Sequence, residues 1–400
     1  MTRTDVDRVR KAPVIAVLAA HWESKSEGEW LGRQVAGALA CEAEVHVITP
    51  DGTAAGHSPD GPFMLHRLAT PIDTASELRR ELLIEALSAA GDQAGAVVPA
   101  QLAELLDRGL LEPWNAATKA LADLQPDHVV IIGHKNVGAL SALEAAGLDV
   151  PVTLVAIGSD PQSVGFPRFK AMFDRADIIL AVTEVERQSI ISEHGSAAKV
   201  SRIGAPLAAN PSALSEPNTW VGTTDYIVVV TNSGAEENHV ETELSRLLRL
   251  SFPDNPVGVC HTDCFRVWHQ GRLSQGWAVE RYSDMTRLMA WATVTVDLHP
   301  GSLFSRRCVD SLLYGTPIVV PEDSMAREHA DRGRGGLWFS DPAELTWCVE
   351  ALLDRPTRDT FGAQGRSYAE IEYGSTDAFI DRVLQACDIK TGAEATTVHA

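Results

Sequence analysis

Residues Thr293–Val320 read TVTVDLHPGSLFSRRCVDSLLYGTPIVV. A β-branched apolar run ends at Asp297, and a loop of small residues follows. A helix is predicted from Ser305 to Leu313, and Gly315-Thr316-Pro317 then turns the chain into a second apolar run, Pro317–Val320. Strand, helix and strand in succession make a parallel unit whose strands are apolar on both faces. The bend between strand and helix presents backbone N–H groups and the positive end of the helix dipole, which together suit an anion. Arg306 and Arg307 stand in the first turn, where helices ordinarily prefer acids, so their presence there fits a bound anion. Asp310, farther along the helix, is placed to meet polar groups of such a ligand, or is a plain surface carboxylate.

The same alternation extends in both directions. Upstream, strands are expected at Val14–Ala19, Glu44–Ile48, Phe63–Leu68, His128–Ile132, Val152–Ile157, Ile178–Val182 and Val200–Ile203. Helices are expected between them, at about 28–39, 75–90, 99–124 (broken near Gly109–Pro113) and 138–146. A further helix is expected at Thr183, with Glu186 three residues on in the manner of a capping box. A stretch rich in Pro, Ala, Asn and Ser, 206–224, serves as a linker. The pattern then restarts, with strands at Tyr226–Val230, Val257–Cys260, Trp277–Glu280, Thr293–Asp297, Pro317–Val320 and Leu337–Phe339 and helices among and after them. The expected fold is α/β: two Rossmann-like, doubly wound parallel-sheet domains, 1–205 and 225–375, facing each other across a cleft. A C-terminal helix over 376–390 is expected to pack back on the first domain, ahead of a disordered tail, 391–400.

Composition narrows the function. The formal net charge is −20, from 34 basic and 54 acidic residues, which opposes sequence-independent binding to nucleic acid or anionic lipid. The first apolar run is too short to span a bilayer and lacks a signal-peptide cleavage site. Six scattered cysteines suit a reducing compartment, and a cytoplasmic location is expected. Cys260-His261-Thr262-Asp263-Cys264 has no partner pair for a zinc site and reads better as a strand with a turn, so no metal is expected. No Gly-x-Gly-x-x-Gly follows Val14–Ala19, which argues against a dinucleotide cofactor.

Several segments resemble the retaining GT-B glycosyltransferases of the large group 1, glycogen-synthase-like family. Arg175–Arg187, RADIILAVTEVER, matches that family's RADxVIAVSExER segment closely. Ser26–Thr49 is similar to its first glycine loop, helix and strand, with Gly28 in the loop, and Pro126–Ser141 to the segment carrying its histidine, near His134. Aligned on Gly315-Thr316-Pro317, Asp310 takes the place of the second Glu of the donor motif, and Ser302-Leu303-Phe304-Ser305 stands where Glu-Gly-Phe-Gly is usual.

The resemblance implies a transferase that takes a sugar from a nucleotide-sugar co-substrate to a small-molecule or glycan acceptor, with retention and no obligatory cofactor. It implies donor contacts from Gly301, Ser302, Leu303, Phe304, Ser305, Arg306, Asp310, Thr231 and Asn232. His134 and Asp310 would be the catalytic pair, and Gly28 and Asp160 would lie on the acceptor side. His134 as an ordinary core or loop histidine, and Asp160 as an Asx turn, are the competing readings. Two departures stand out. The family's Arg and Lys after the strand opening the second domain are missing from Thr231–Asn238, and Ser302 replaces the first Glu. Arg306, Arg307 or Arg272 are candidates to supply the missing cation. The departures keep open a catalytically reduced GT-B protein that binds a ligand or regulates a partner glycosyltransferase, and, more remotely, a sugar epimerase. The sequence leaves a homo-oligomer open as well. Arg332-Gly333-Arg334-Gly335-Gly336 is expected to be a flexible loop.

Overall fold

The computed structural model describes residues 12–20, 22, 27–52, 56–69, 114–133, 136–157, 167–195, 199–207, 226–231, 239–260, 264–270, 272–278, 282–298 and 304–389. The expected helices at 75–90 and 99–113, most of the linker and the tail from 391 lie outside these residues. The chain divides into two compact units. The first runs to Val182 and includes Glu186–Ile203 and the segment from Ala378 on; the second holds Thr183–Val185 and Gly204–Asp377.

The first unit is built on an eight-stranded sheet. Its strands are β1 (Val14–Ala19), β2 (Glu44–Gly52), β3 (Gly56–Asp60), β4 (Phe63–Ala69), β5 (His128–Ile132), β6 (Val152–Val155), β7 (Ile178–Ala181) and β8 (Val200–Arg202). They lie in the order β3-β4-β2-β1-β5-β6-β7-β8, all parallel except β3. Its helices are α1 (Glu27–Leu39), α2 (Asn115–Leu124), α3 (Val137–Ala145), α4 (Pro167–Arg175) and α5 (Glu184–His194). One face of the sheet, with Val129, Ile131 and Leu154, packs on Leu121, Leu143 and Phe173 from α2, α3 and α4. The other face receives α1, where a Cβ on Gly32 would come within 2.9 Å of Ile132 Cγ2.

β3 escapes the sequence reading because Gly56–Asp60 has no apolar alternation. Its signal is the turn Gly61-Pro62, in which Gly61 takes φ +65° as a two-residue hairpin loop requires. The expected capping box at Thr183 is modified, since Glu186 Oε2 accepts from the N–H of Val182, one residue earlier than the usual target.

The second unit carries seven strands: β9 (Ile227–Val230), β10 (Val257–Cys260), β11 (Cys264–His269), β12 (Arg272–Ala278), β13 (Val294–Asp297), β14 (Ile318–Pro321) and β15 (Gly336–Phe339). Their order is β12-β11-β10-β9-β13-β14-β15. Five are parallel, and β11 and β12 add an antiparallel hairpin at one edge. In β11 the alternation of buried Phe265 and Val267 with exposed Arg266 is a half-buried strand's signature, which the sequence reading passed over.

The helices of this part are α6 (His239–Ser251), α7 (Tyr282–Trp291), α8 (Arg306–Leu313), α9 (Arg327–Gly333), α10 (Pro342–Leu353), α11 (Arg355–Tyr373) and α12 (Thr376–Ala386). Alternate strand residues bury on opposite faces. Val294 and Val296 join Leu248 of α6 and Val349 of α10, whereas Val228 and Val230 join Leu288 of α7. From Ala378 the chain counts with the first unit, where Arg382 Nε donates to the Ile203 carbonyl at 2.8 Å.

The segment Arg332–Gly336 is not the flexible loop that its glycines suggested. Gly333 ends α9 and Gly336 opens β15. A Cβ on Gly335 would lie 2.7 Å from Gly365 Cα, and one on Gly336 would lie 2.0 Å from the Ile318 carbonyl oxygen. These glycines serve close backbone packing rather than freedom of movement.

Candidate functional site

In an open parallel sheet, ligands bind beyond the carboxyl ends of the strands, at the point where successive connections wind in opposite directions. In the second sheet that point falls between β9 and β13, because β10 lies on one side of β9 and β13 on the other. Thr231 follows β9 there, and Asp297 ends β13 in register with Val230. The bend that follows Asp297 therefore starts at the switch point.

Both ends of the bend are fixed by buried polar side chains. Asp297, 1% exposed, accepts a 2.6 Å hydrogen bond from Ser305 Oγ and faces the Cys308 thiol at 3.6 Å. Ser305 is the N-cap of α8 and its hydroxyl accepts from the Cys308 N–H at 3.3 Å. One side chain thus closes the bend and caps the helix. Ser305 has φ +43°, a left-handed conformation that favours glycine. It occupies the place of the second glycine in the Glu-Gly-Phe-Gly pattern, so the conformation persists where the residue type has changed. Phe304 is buried; its carbonyl accepts from His329 Nε2 at 2.6 Å and its ring lies 5.3 Å from that of Tyr373.

The helix itself is anchored. Ser311 Oγ donates to Thr295 Oγ1 of β13 at 2.9 Å, and Thr316 Oγ1 donates to the Met289 carbonyl of α7 at 2.9 Å. Gly315, at φ +80°, ends α8 in a Schellman motif, with Gly315 N–H to Leu312 and Thr316 N–H to Ser311. This accounts for Gly315-Thr316-Pro317: a left-handed cap, a buried hydroxyl anchor and a strand start. Leu312 packs against the glycine faces of Gly335 and Gly365, and the Gly315 carbonyl against Gly362.

The charges lie close by. Asp310, buried, pairs with Arg306 at 3.7 Å. Burial pushes the Cys260 thiol up to about 12, while the Arg307 guanidinium acts in the opposite direction. Arg307 therefore brings positive charge near the carboxyl end of β10. The third candidate cation is excluded by register: Arg272 opens β12 opposite His269, at the amino-terminal edge of the sheet. Glycine at 28 is also corrected, since it lies in the first turn of α1 and not in the loop before it.

Among the expected site residues, Thr231 and Ser305 fall at this switch point, Phe304 precedes Ser305, and Arg306 and Asp310 lie on the helix that starts there. Thr231 is buried, and its N–H donates to the Cys260 carbonyl at 3.0 Å. Gly301, Ser302, Leu303, Asn232, His134 and Asp160 lie outside the described residues. Gly133, just before His134, ends β5 at the first sheet's own switch point, between β1 and β5, with φ +81°. The sequence reading missed the roles of Asp297 and His329. An acid ending an otherwise apolar strand was a visible signal for the first; the second gave none, because a histidine inside the helix expected before Arg332 carries no local mark of the distant carbonyl it meets.

Among the described residues no three His, Cys, Asp or Glu side chains are arranged to hold a metal ion, and no helix is long and apolar enough to cross a membrane. No protein-family model and no curated protein sequence matches the chain. Solved structures do match in fold. Sucrose-phosphate synthase from Thermosynechococcus elongatus superposes with a TM-score of 0.65 at 14% identity, over 94% of this chain and 98% of that one. An α,α-trehalose 6-phosphate synthase from Burkholderia multivorans gives 0.66 at 13%, over 98% and 99%. Anabaena HepE, in complex with UDP and glucose, gives 0.60 at 13%, over 94% and 99%. At these identities the likeness is one of fold, and the fold is the two-domain α/β arrangement known as GT-B.

Proposed function

We propose that the protein is a glycosyltransferase that takes a hexose from a uridine-diphosphate sugar, with the diphosphate held by the bend between β13 and α8. The observation that carries this reading is the bend itself. It starts at the switch point of the second sheet, and it is closed by the Asp297–Ser305 bond at the positive pole of a helix fixed on both sides. As the sugar leaves, charge builds on the diphosphate, where a fixed helix pole and the nearby Arg307 stabilise it without reorganisation. Asp310 and Arg306 form the next pair along the helix, in reach of donor hydroxyls. The acceptor is assigned to the first unit, at the carboxyl ends of β1 and β5, with His134 supporting the oxocarbenium-like transition state and retention of configuration. Support for the donor class comes from fold neighbours: HepE is in complex with UDP and glucose, and the E. coli trehalose-6-phosphate protein is bound with UDP-2-fluoro glucose.

The test is UDP release and product formation from a panel of UDP-sugars with mixed acceptors. Arg307→Ala should weaken donor use about tenfold, equivalent to ~1.4 kcal/mol. Binding of a UDP-sugar with neither transfer nor hydrolysis would favour the catalytically reduced reading, which the missing cation in Thr231–Asn238 and the serine at 302 support. No thermal shift and no turnover with any donor would end both.

A further inference from the structure

We infer that His329 is a positioning residue for the nucleotide diphosphate, acting through the Phe304 carbonyl; the inference rests on the proposed donor site. The imidazole is fully buried, 25 residues from Phe304 in sequence, and its Nε2 lies 2.6 Å from the Phe304 oxygen. A carbonyl only accepts, so Nε2 carries the proton and Nδ1 is an acceptor facing the Tyr368 hydroxyl at 3.3 Å. The ring is enclosed by Phe304, Tyr368 and Tyr373 at 5.6–6.0 Å between centroids. An apolar side chain would fill that space equally well. What imidazole adds is one hydrogen bond, directed at the last peptide before α8.

That peptide joins Phe304 to Ser305. In a trans peptide the carbonyl and the following N–H point in opposite directions. Holding the Phe304 oxygen toward α9 therefore fixes the plane of this peptide, and with it the entry of the chain into the amino end of α8, where the diphosphate is proposed to bind. The same peptide leads into Ser305 at φ +43°, a conformation a serine keeps only when its surroundings impose it. The electrostatic setting agrees. Burial lowers the pKa of His329, and among its charged neighbours Glu328 and Glu372 oppose that shift while Arg332 assists it, so the ring stays neutral with a defined tautomer.

Isothermal titration with UDP tests this on the full chain. Gln can place its amide nitrogen where Nε2 stands, whereas Asn reaches only to the level of Nδ1. His329→Gln should bind UDP within about threefold of the wild type, and His329→Leu and His329→Asn at least about tenfold more weakly. Val349→Ala, in the core on the other face of the sheet, should lower the melting temperature with UDP affinity unchanged. Equal affinity in wild type and His329→Asn overturns the inference, and so does an equal loss in Val349→Ala. A wild-type protein that does not bind UDP overturns the donor-site reading instead, and this inference with it.

Discussion

The two sheets are closed differently at the points where their winding reverses. In the second unit the strand end is tied by side chains: Asp297 to Ser305, Phe304 to His329 and Thr295 to Ser311, all buried, with the helix wedged against glycine backbones. In the first unit the corresponding strand, β5, ends in the left-handed Gly133. There Asn136 bonds back to the Ile132 carbonyl, and helix packing relies on a side chain, Ile132, against Gly32. If the bend binds a diphosphate through backbone amides, as we propose, those amides must be fixed before the ligand arrives, and buried polar ties do so.

Glycine substitutions should separate the two regions most widely. Gly336→Ala and Gly362→Ala place a Cβ 2.0 and 2.2 Å from backbone oxygens that cannot yield. Each should cost about 3 kcal/mol in chemical denaturation. Gly32→Ala meets a side-chain methyl, Ile132 Cγ2, at 2.9 Å rather than backbone, and gains helix propensity, so its net cost should be smaller, about 1 kcal/mol. Similar losses in all three would mean that the units are equally rigid.

Next in size is Asp297→Ala. It leaves the buried Ser305 hydroxyl without its acceptor, at a cost of about 2 kcal/mol, and Asp297→Asn should recover part of that. A melting temperature unaffected by the alanine would remove the closure from the account.

The smallest expected effect concerns pH. Burial lowers the pKa of His128 and His194 in the first unit and of His329 in the second. The unfolded chain then binds more protons than the folded one just below the ordinary histidine value of about 6.5, so stability falls as pH drops through that window. His194 stacks on Phe173 at 4.4 Å with both ring nitrogens buried and no hydrogen bond to either. His194→Phe should narrow the gap in unfolding free energy between pH 7.5 and 5.5, by under about 1 kcal/mol because the residue as a whole is only partly buried. A wider gap would contradict this.

Most of the fold was legible because parallel strands buried on both faces are uninterrupted apolar runs, as at Ile227–Val230 and His128–Ile132. The elements that were missed carry their signal in single residues, such as Gly61 for the β3 hairpin, or in amphipathic order, as in β11. The strand, bend and helix start before α8 were legible from the small residues after Asp297 and the turn at Gly315. The mechanical support of the bend was not. Ser305 and Asp297 lie eight residues apart and His329 comes from another helix, and no local pattern records which side chains meet in three dimensions. The glycines at 335 and 336 misled for a related reason: the contacts that require them come from Gly365 and Ile318.

The bend between β13 and α8 is proposed to receive the phosphates of a nucleotide. Amide hydrogen exchange across residues 298–309, with and without UDP, tests it most directly. Slower exchange is expected in this segment at saturating UDP, with Arg306 and Arg307 among the protected amides. Protection confined to other segments, or none at a UDP concentration that saturates binding, would contradict it.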